Sequence, residues 1–332
     1  MEALQVDELP IGPNWQYEPK WDGFRCLIFR DGANVKLQSK SGRPLTRYFP
    51  ELVDAIRQFG PRTFILDGEI VIPSDGTFSF DSLLQRIHPA PSRIKRLSVE
   101  TPASLIIFDL LVGADNRSIV NQPLSKRRQA LELLFSTQER DEPHIRLSPA
   151  TTKVTTARAW LKRAGTMLDG VMAKRLDLEY RSDDRTGMQK IKSYRSADCV
   201  VGGFRYGKGT KLVGSLLLGL YDKQGLLHHV GFTSGIRRDA KVKLTEKLTP
   251  LISPPGFTGR APGGPSRWST KQSAEWQPLK TKLVVEVCYD HFSGERFRHG
   301  TTLMRWRPDK APRQCTFDQV KRRKGSLLTL LK

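Results

Sequence analysis

Apolar, strand-like runs broken by single charges constrain this chain more than any other feature. Glu69 interrupts residues 64–72, Asp169 and Lys174 flank the Gly170-Val171-Met172-Ala173 run, and Lys190 and Lys192 alternate with Ile191. A charge on a buried strand is costly unless it faces a polar cleft or meets a partner. An edge-strand lysine that resists aggregation accounts for one such site. Five of them, with Lys20 and Arg25, require strands that line a shared cleft. The cations there suit phosphates, and the carboxylates suit a divalent metal or a sugar hydroxyl. The segment Glu18-Pro19-Lys20-Trp21-Asp22-Gly23-Phe24-Arg25 puts one lysine beside an Asp-Gly turn. A lysine amine attacks only when it is held in place and kept partly deprotonated, by burial or by neighbouring cations.

Residues 24–38 alternate apolar and polar positions and predict a hairpin around 30–34, with Asp31-Gly32 as the turn signal. Helical spacing begins at Pro50 and runs to residue 59. Strands are predicted over 64–72, 104–111, 170–174 and 188–192. Helices are predicted over 125–135, capped by Ser125, and over 155–164, capped by Thr155 or Thr156. A boundary falls at 193–198. Beyond it come strands at 199–206, 214–222, 226–232 and 282–289, a helix at 237–250 and a Gly/Pro-rich loop at 253–265. Many short strands with one helix suit a small β-barrel of the oligonucleotide-binding kind. The expected class is therefore α+β. A domain of antiparallel sheets plus helices spans 1–194, and a small OB-fold barrel domain with a basic tail spans 195–332.

A chain of 332 residues supports two cores, and no apolar stretch nears the roughly 20 residues of a membrane helix. The N-terminus carries Glu2, Asp7 and Glu8 and no signal-like region, so a cytoplasmic protein is expected. Cys26, Cys199, Cys288 and Cys315 form no C-x-x-C pair, which argues against zinc and against a disulfide framework. His88, His228, His229, His291 and His299 lack ligand spacing, and Trp160, Trp268 and Trp276 read as packing residues. The net charge is +21 and is unevenly placed: from Arg195 onward there are 26 Lys and Arg against 10 Asp and Glu. That asymmetry points to a polyanion partner, nucleic acid first.

Taken in order, the charged segments resemble the motifs of the ATP-dependent DNA ligases. Lys20-Trp21-Asp22-Gly23-Phe24-Arg25 is similar to the nucleophile motif. Ser39-Lys40-Ser41-Gly42-Arg43, Leu66-Asp67-Gly68-Glu69 and Phe108-Asp109-Leu110-Leu111 follow it. Asp169-Gly170-Val171-Met172-Ala173-Lys174, Gln189-Lys190-Ile191-Lys192 and Arg305-Trp306-Arg307-Pro308-Asp309-Lys310 complete the series. The wording is most similar to small bacterial repair ligases, of the stand-alone C type or the ligase domain of the D type.

The resemblance implies a nucleotidyltransferase adenylation domain followed by an OB-fold, with ATP and Mg2+ or Mn2+ as cofactors. It implies that Lys20 forms lysyl-AMP, passes AMP to the 5′-phosphate of a nick, and seals it with the 3′-hydroxyl. Lys190 and Lys192 would lie near the α-phosphate and disfavour a proton on Lys20. Glu69 would bind ribose or a metal, and Asp169, where many family members have glutamate, would help hold the metal. Phe108 and Met172 would sandwich adenine, with Glu18, Arg43 and Lys174 completing the nucleotide site. Arg25 and Lys40 would grip a phosphate, and Arg307, Asp309 and Lys310 would orient pyrophosphate. The partner implied is nicked duplex DNA, engaged by a monomer working with a repair polymerase. Segments 83–98, with Arg86, Arg93, Lys95 and Arg96, and 253–271 are the candidates for embracing the duplex. An NAD-dependent ligase is disfavoured because only 19 residues precede Lys20 and the cysteines are scattered. The rivals are an mRNA-capping guanylyltransferase, an RNA ligase, and a non-catalytic nucleic-acid-binding protein.

Overall fold

The structure, a computed structural model, describes residues 2–137, 143–163, 168–182, 184–263, 275–321 and 330–331. Trp268, most of the basic tail and the end of the 253–271 segment lie outside the described residues. The chain forms two compact units, Met1–Ser193 with Arg323–Lys332, and Tyr194–Arg322. Among the described residues no helix is long and apolar enough to cross a membrane.

The first unit is built on two sheets. Strands β1 (Leu4–Val6) and β2 (Trp15–Lys20) lead into the hairpin β3 (Phe24–Asp31) and β4 (Asn34–Ser39). Gly32, at φ +60°, supplies the left-handed turn that the Asp-Gly step predicts. Helix α1 (Pro50–Gln58), β5 (Thr63–Val71) and the short β6 (Pro73–Ser74) and β7 (Thr77–Phe78) follow. Then come α2 (Phe80–Arg86), α3 (Pro91–Glu100), β8 (Ser104–Val112), α4 (Leu124–Ser136) and β9 (Ile145–Leu147). Helix α5 (Val154–Arg163), β10 (Gly170–Arg175) and β11 (Met188–Lys192) close the unit. One sheet has the order β1-β11-β10-β2 and the other β4-β3-β5-β8-β9. Both are antiparallel except at one edge, where β1 runs parallel to β11 and β9 parallel to β8. Those two parallel pairs depart from the expected all-antiparallel sheets.

Alternation assigns the faces. Tyr17, Val171, Ala173 and Ile191 point from the four-stranded sheet into a core shared with Ala157 and Trp160 of α5. Cys26, Ile28, Leu66, Ile70, Leu105 and Ile107 point from the five-stranded sheet into a second core closed by α1 and by Leu131 of α4. The intervening residues of both sheets face the other way, and among them are Glu18, Lys20, Arg25, Asp67, Glu69, Lys174, Lys190 and Lys192.

Two helix starts in this unit differ from expectation. Helix α4 begins at Leu124 after Pro123, and no side chain caps it. The N–H groups of Leu124 and Ser125 instead donate to the carbonyls of Leu178 and Leu176, at 2.9 Å each. A neighbouring segment thus satisfies two orphan donors of the first turn, and Ser125 lies inside the helix rather than at its cap. Helix α5 starts at Val154, which leaves Thr155 and Thr156 in its first turn.

In the second unit β12 (Arg195–Tyr206), β13 (Val213–Tyr221) and β14 (Leu227–Thr233) form a meander, followed by α6 (Ala240–Leu248). After it come β15 (Gln277–Pro278), β16 (Val284–Tyr289), β17 (Phe292–Ser293), β18 (Arg296–Phe297) and β19 (Thr302–Trp306). The antiparallel order is β14-β13-β12-β16-β19, with β15 added on β12. Its two edges approach each other at Thr233 and Thr301: the Thr301 N–H donates to Phe232 O at 3.1 Å, and Thr233 Oγ1 donates to Thr301 O at 2.9 Å. The sheet therefore curls around a core of Val200, Phe204, Leu216, Leu218, Leu220 and Phe257. Trp276 packs against that core and Trp160 is buried in the first unit, as packing residues do.

Candidate active site

The two sheets of the first unit enclose a cavity of about 250 Å³. One wall is a set of cross-strand rows. Lys20 on β2 is opposite Gly170 on β10, which is opposite Lys192 on β11. The next row is Glu18, Met172, Lys190, and the next Gln16, Lys174, Met188. The two-residue strand period turns all three rows to the same face. Gly170 is required in the first row, because a Cβ there would lie 2.0 Å from Ile191 O. The opposite wall comes from β3, β5 and β8, which contribute Arg25, Glu69 and Phe108. The N-terminal Glu2 and Ala3, with Lys40, also line the cavity.

Lys20 ends β2 with its side chain 21% exposed and its amine paired to Asp169. Trp21, the next residue, is buried, and its Nε1–H donates to Ser148 Oγ at 3.0 Å. That anchor fixes where the chain turns away and so where the lysine points. Lys174 Nζ pairs with Glu18 at 2.9 Å and lies 4.3 Å from the centroid of Phe108. Gln16 Nε2 donates to the same Glu18 carboxylate at 2.8 Å. Both ions of that pair are buried, so each depends on the other. Phe108 and Met172, one from each sheet, both line the cavity.

Arg25 grips Asp67 through Nε at 3.1 Å and Nη2 at 2.6 Å, and Tyr180 donates to Asp67 at 2.9 Å. Burial works against the Arg25 charge, but Asp67 outweighs it and raises the guanidinium's hold on its proton. Glu69 is opposite Arg25 on the neighbouring strand and accepts from the Gly23 N–H at 3.1 Å. Burial pushes its carboxyl up to about 8, against the pull of Lys20 and Arg25. Burial, then the ammoniums of Lys192, Lys20 and Lys40, push the Lys190 pKa below its ordinary value. Lys40 is paired to Glu2 at 2.8 Å, and Glu2 also meets Arg185 at 2.9 Å. Arg43 lies on the exposed turn after β4 and is not among the residues lining the cavity.

Among the described residues no three His, Cys, Asp or Glu side chains gather to hold a metal alone. Of the two carboxylates expected to hold one, Glu69 lines the cavity and Asp169 is paired to Lys20.

Arg307, Asp309 and Lys310 belong to the second unit, on the turn after β19. Arg307 forks onto Asp309 with Nε–Oδ1 at 2.9 Å and Nη2–Oδ2 at 2.8 Å. The Asp309 carboxyl is held down to about 2 by that hydrogen-bonded guanidinium. Of the proposed duplex-embracing residues, Arg86 is fully buried and bidentate to Glu51 at 2.6 and 2.9 Å, so it is structural. Lys95 and Arg96 are exposed on α3.

The sequence reading missed several supports of the site. Gln16 and Ser148 carry no local signal, because their partners are fixed only by the fold. Asp67 and Tyr180 are 113 residues apart and meet over Arg25. Glu2 looked like ordinary N-terminal charge.

Known families and proteins are similar to this chain along nearly its whole length. Residues 7–192 match the profile described as ATP dependent DNA ligase domain, and residues 209–310 match ATP dependent DNA ligase C terminal region. DNA ligase C2 of Mycolicibacterium smegmatis is 44% identical, over 96% of this chain and 93% of that protein. DNA ligase C of Mycobacterium tuberculosis is 43% identical, over 97% and 93%. The multifunctional non-homologous end joining DNA repair protein LigD of M. tuberculosis is 29% identical, over 90% of this chain and 37% of that protein. A solved structure of a Lig E DNA ligase has a TM-score of 0.55 at 15% identity, covering 92% of this chain and 100% of that one, which shows a shared fold. Two domain profiles in sequence order, and relatives this similar over nearly their whole length, lead to one conclusion: the chain belongs to the ATP-dependent DNA ligase family.

Proposed function

We propose that this ATP-dependent DNA ligase seals 5′-phosphate/3′-hydroxyl nicks in duplex DNA by carrying AMP on Lys20. The observation that carries the reading is the place of the Lys20 amine. It stands at the end of β2 in a cavity that Phe108 and Met172 also line, in a row with Lys192. In this reading adenine lies against Phe108 and Met172, and Lys190 and Lys192 take up α-phosphate oxygens. Lys20 Nζ attacks the α-phosphorus: an N–P bond forms, the P–O bond breaks with its electron pair leaving on pyrophosphate, and the proton the amine gives up passes to solvent. This requires the Lys20–Asp169 pair to open. Arg307, Asp309 and Lys310 orient the leaving pyrophosphate, a role confined to this first step. AMP then passes to the 5′-phosphate, gripped by Arg25 and Lys40, and the 3′-hydroxyl displaces it.

Positioning and charge neutralisation dominate each displacement. A divalent ion held by Glu69 and Asp169 would supply further neutralisation at the phosphates. A gap-filling repair polymerase is the class of enzyme that would leave such nicks, and the ligase would serve them as a monomer in the cytoplasm.

The test is incubation with α-labelled ATP and a divalent metal, followed by denaturing electrophoresis. Label is expected on the wild type, absent from Lys20→Ala, and discharged by nicked DNA. Label from GTP instead of ATP, or label retained by Lys20→Ala, would overturn the reading.

A further inference from the structure

In the second unit one acidic residue lies outside every motif and yet touches two motif cations. Asp198 is on β12 between Ala197 and Cys199, both of which face the core. Its own side chain therefore faces the other way. Its Oδ1 accepts from Arg307 Nη1 at 2.8 Å, and its Oδ2 lies 3.6 Å from Lys310 Nζ. The Asp198 backbone is clamped as well: its N–H donates to Gln319 Oε1 at 3.0 Å, and Gln319 Nε2 donates to its carbonyl at 3.2 Å. Arg307 spends its other edge on Asp309. The guanidinium is thus hydrogen-bonded by two carboxylates, one from its own turn and one from a central strand, with Glu286 farther off at 4.0 Å from Nη1. Asp198 is the one of these three that also reaches Lys310.

We infer that Asp198 is a positioning residue for the adenylation step, which aims Arg307 and Lys310 and limits how tightly that turn retains a phosphate leaving group. The inference rests on the reading of Arg307 and Lys310 as pyrophosphate-orienting. A guanidinium held from one side by a carboxylate on a strand presents its charge in one direction, and such preorganisation is worth most in a displacement governed by electrostatics. Removing the carboxylate leaves Arg307 to the Asp309 fork and the more distant Glu286, and leaves Lys310 no ion-pair partner among those described. The group also gains one net positive charge, which favours retention of a polyanion.

The test compares Asp198→Ala, Asp198→Asn and Arg307→Ala in single-turnover formation of lysyl-AMP and in sealing of pre-adenylated nicks. Asp198→Ala is expected to slow adenylation about tenfold or more and sealing by no more than about twofold. Asp198→Asn, which keeps an acceptor for Arg307 and the shape of the site, should slow adenylation less and strengthen inhibition by added pyrophosphate. If Arg307→Ala slows adenylation while both Asp198 variants adenylate normally with unchanged pyrophosphate inhibition, the inference fails and the reading of the turn stands. If Arg307→Ala leaves adenylation intact, that reading fails and the inference falls with it. Equal loss of both steps in Asp198→Asn would make Asp198 a merely structural residue and also overturns the inference.

Discussion

Glu69 faces Arg25 across two strands, yet burial outweighs that cation and its carboxyl is raised from 4.5 to about 8. Between those values the folded chain keeps a proton that the unfolded chain has released. The stabilising share of this group is therefore complete below pH 4.5 and is lost as the pH rises through about 8. Glu69→Gln fixes the side chain in a neutral form. The wild type should accordingly lose stability relative to Glu69→Gln on going from pH 5 to pH 9, by about 1–3 kcal/mol. Urea unfolding at a series of pH values reads this directly, and a difference that stays flat with pH would refute it. The same residue is proposed to meet ribose or a metal. Nucleotide with a divalent ion should therefore favour the carboxylate and release a proton on binding, measurable as a buffer-dependent heat in calorimetry.

Helix α4 shows how an element's packing reaches the cavity. Arg127 is fully buried and forks onto Asp109 of β8, with Nε–Oδ1 at 2.9 Å and Nη2–Oδ2 at 3.0 Å. Its Nη1 also donates to Gln122 O at 2.7 Å and Leu178 O at 3.2 Å, and the guanidinium lies 5.7 Å from the centre of the Tyr180 ring. Tyr180 in turn holds Asp67, which aims Arg25. Arg127→Ala strands a buried carboxylate, so a loss of about 3–5 kcal/mol is expected, and Asp109→Asn should cost a similar amount. In the double variant the losses should not add, since each single change already breaks the pair. Denaturant melts check this, and a loss below about 1 kcal/mol in both single variants would mean the pair does not anchor the helix.

The strands that build the site were legible in the sequence because a period of two survives in the text: Lys20, Met172, Lys174, Lys190 and Lys192 alternate with Tyr17, Val171, Ala173 and Ile191. The supports were not legible. Arg86 reads as one more basic residue until Glu51, 35 positions away, is seen to take its guanidinium. Ser125 reads as a cap until the helix is seen to start at Leu124, with its first N–H groups held by the carbonyls of Leu178 and Leu176. Asp198 reads only as the end of the boundary between the domains until Arg307, 109 residues on, comes to rest against it.

The scale of the whole molecule is set by its charge. The excess is +21, and most of it lies after Arg195. The first step involves a small nucleotide in a cavity, whereas sealing needs a duplex that releases counterions from every phosphate it engages. The two steps should therefore respond differently to salt. Between 50 and 200 mM salt, lysyl-AMP formation should change little, while nick binding should fall by about 10³-fold if roughly six phosphates are contacted. The turn between β12 and β13 is a place to look for those contacts. Lys208 and Lys211 are exposed there, flanking Gly209 at φ +68°, beside a groove of about 520 Å³ that Arg205 and Trp276 also line. Neutralising Lys208 and Lys211 to alanine should lower the slope of log affinity against log salt by about 2, at roughly 0.9 per contact, and leave lysyl-AMP formation untouched. An unchanged slope would take this turn off the DNA and move the cationic contacts elsewhere. A lowered slope with slowed adenylation would mean that the turn serves the nucleotide step as well.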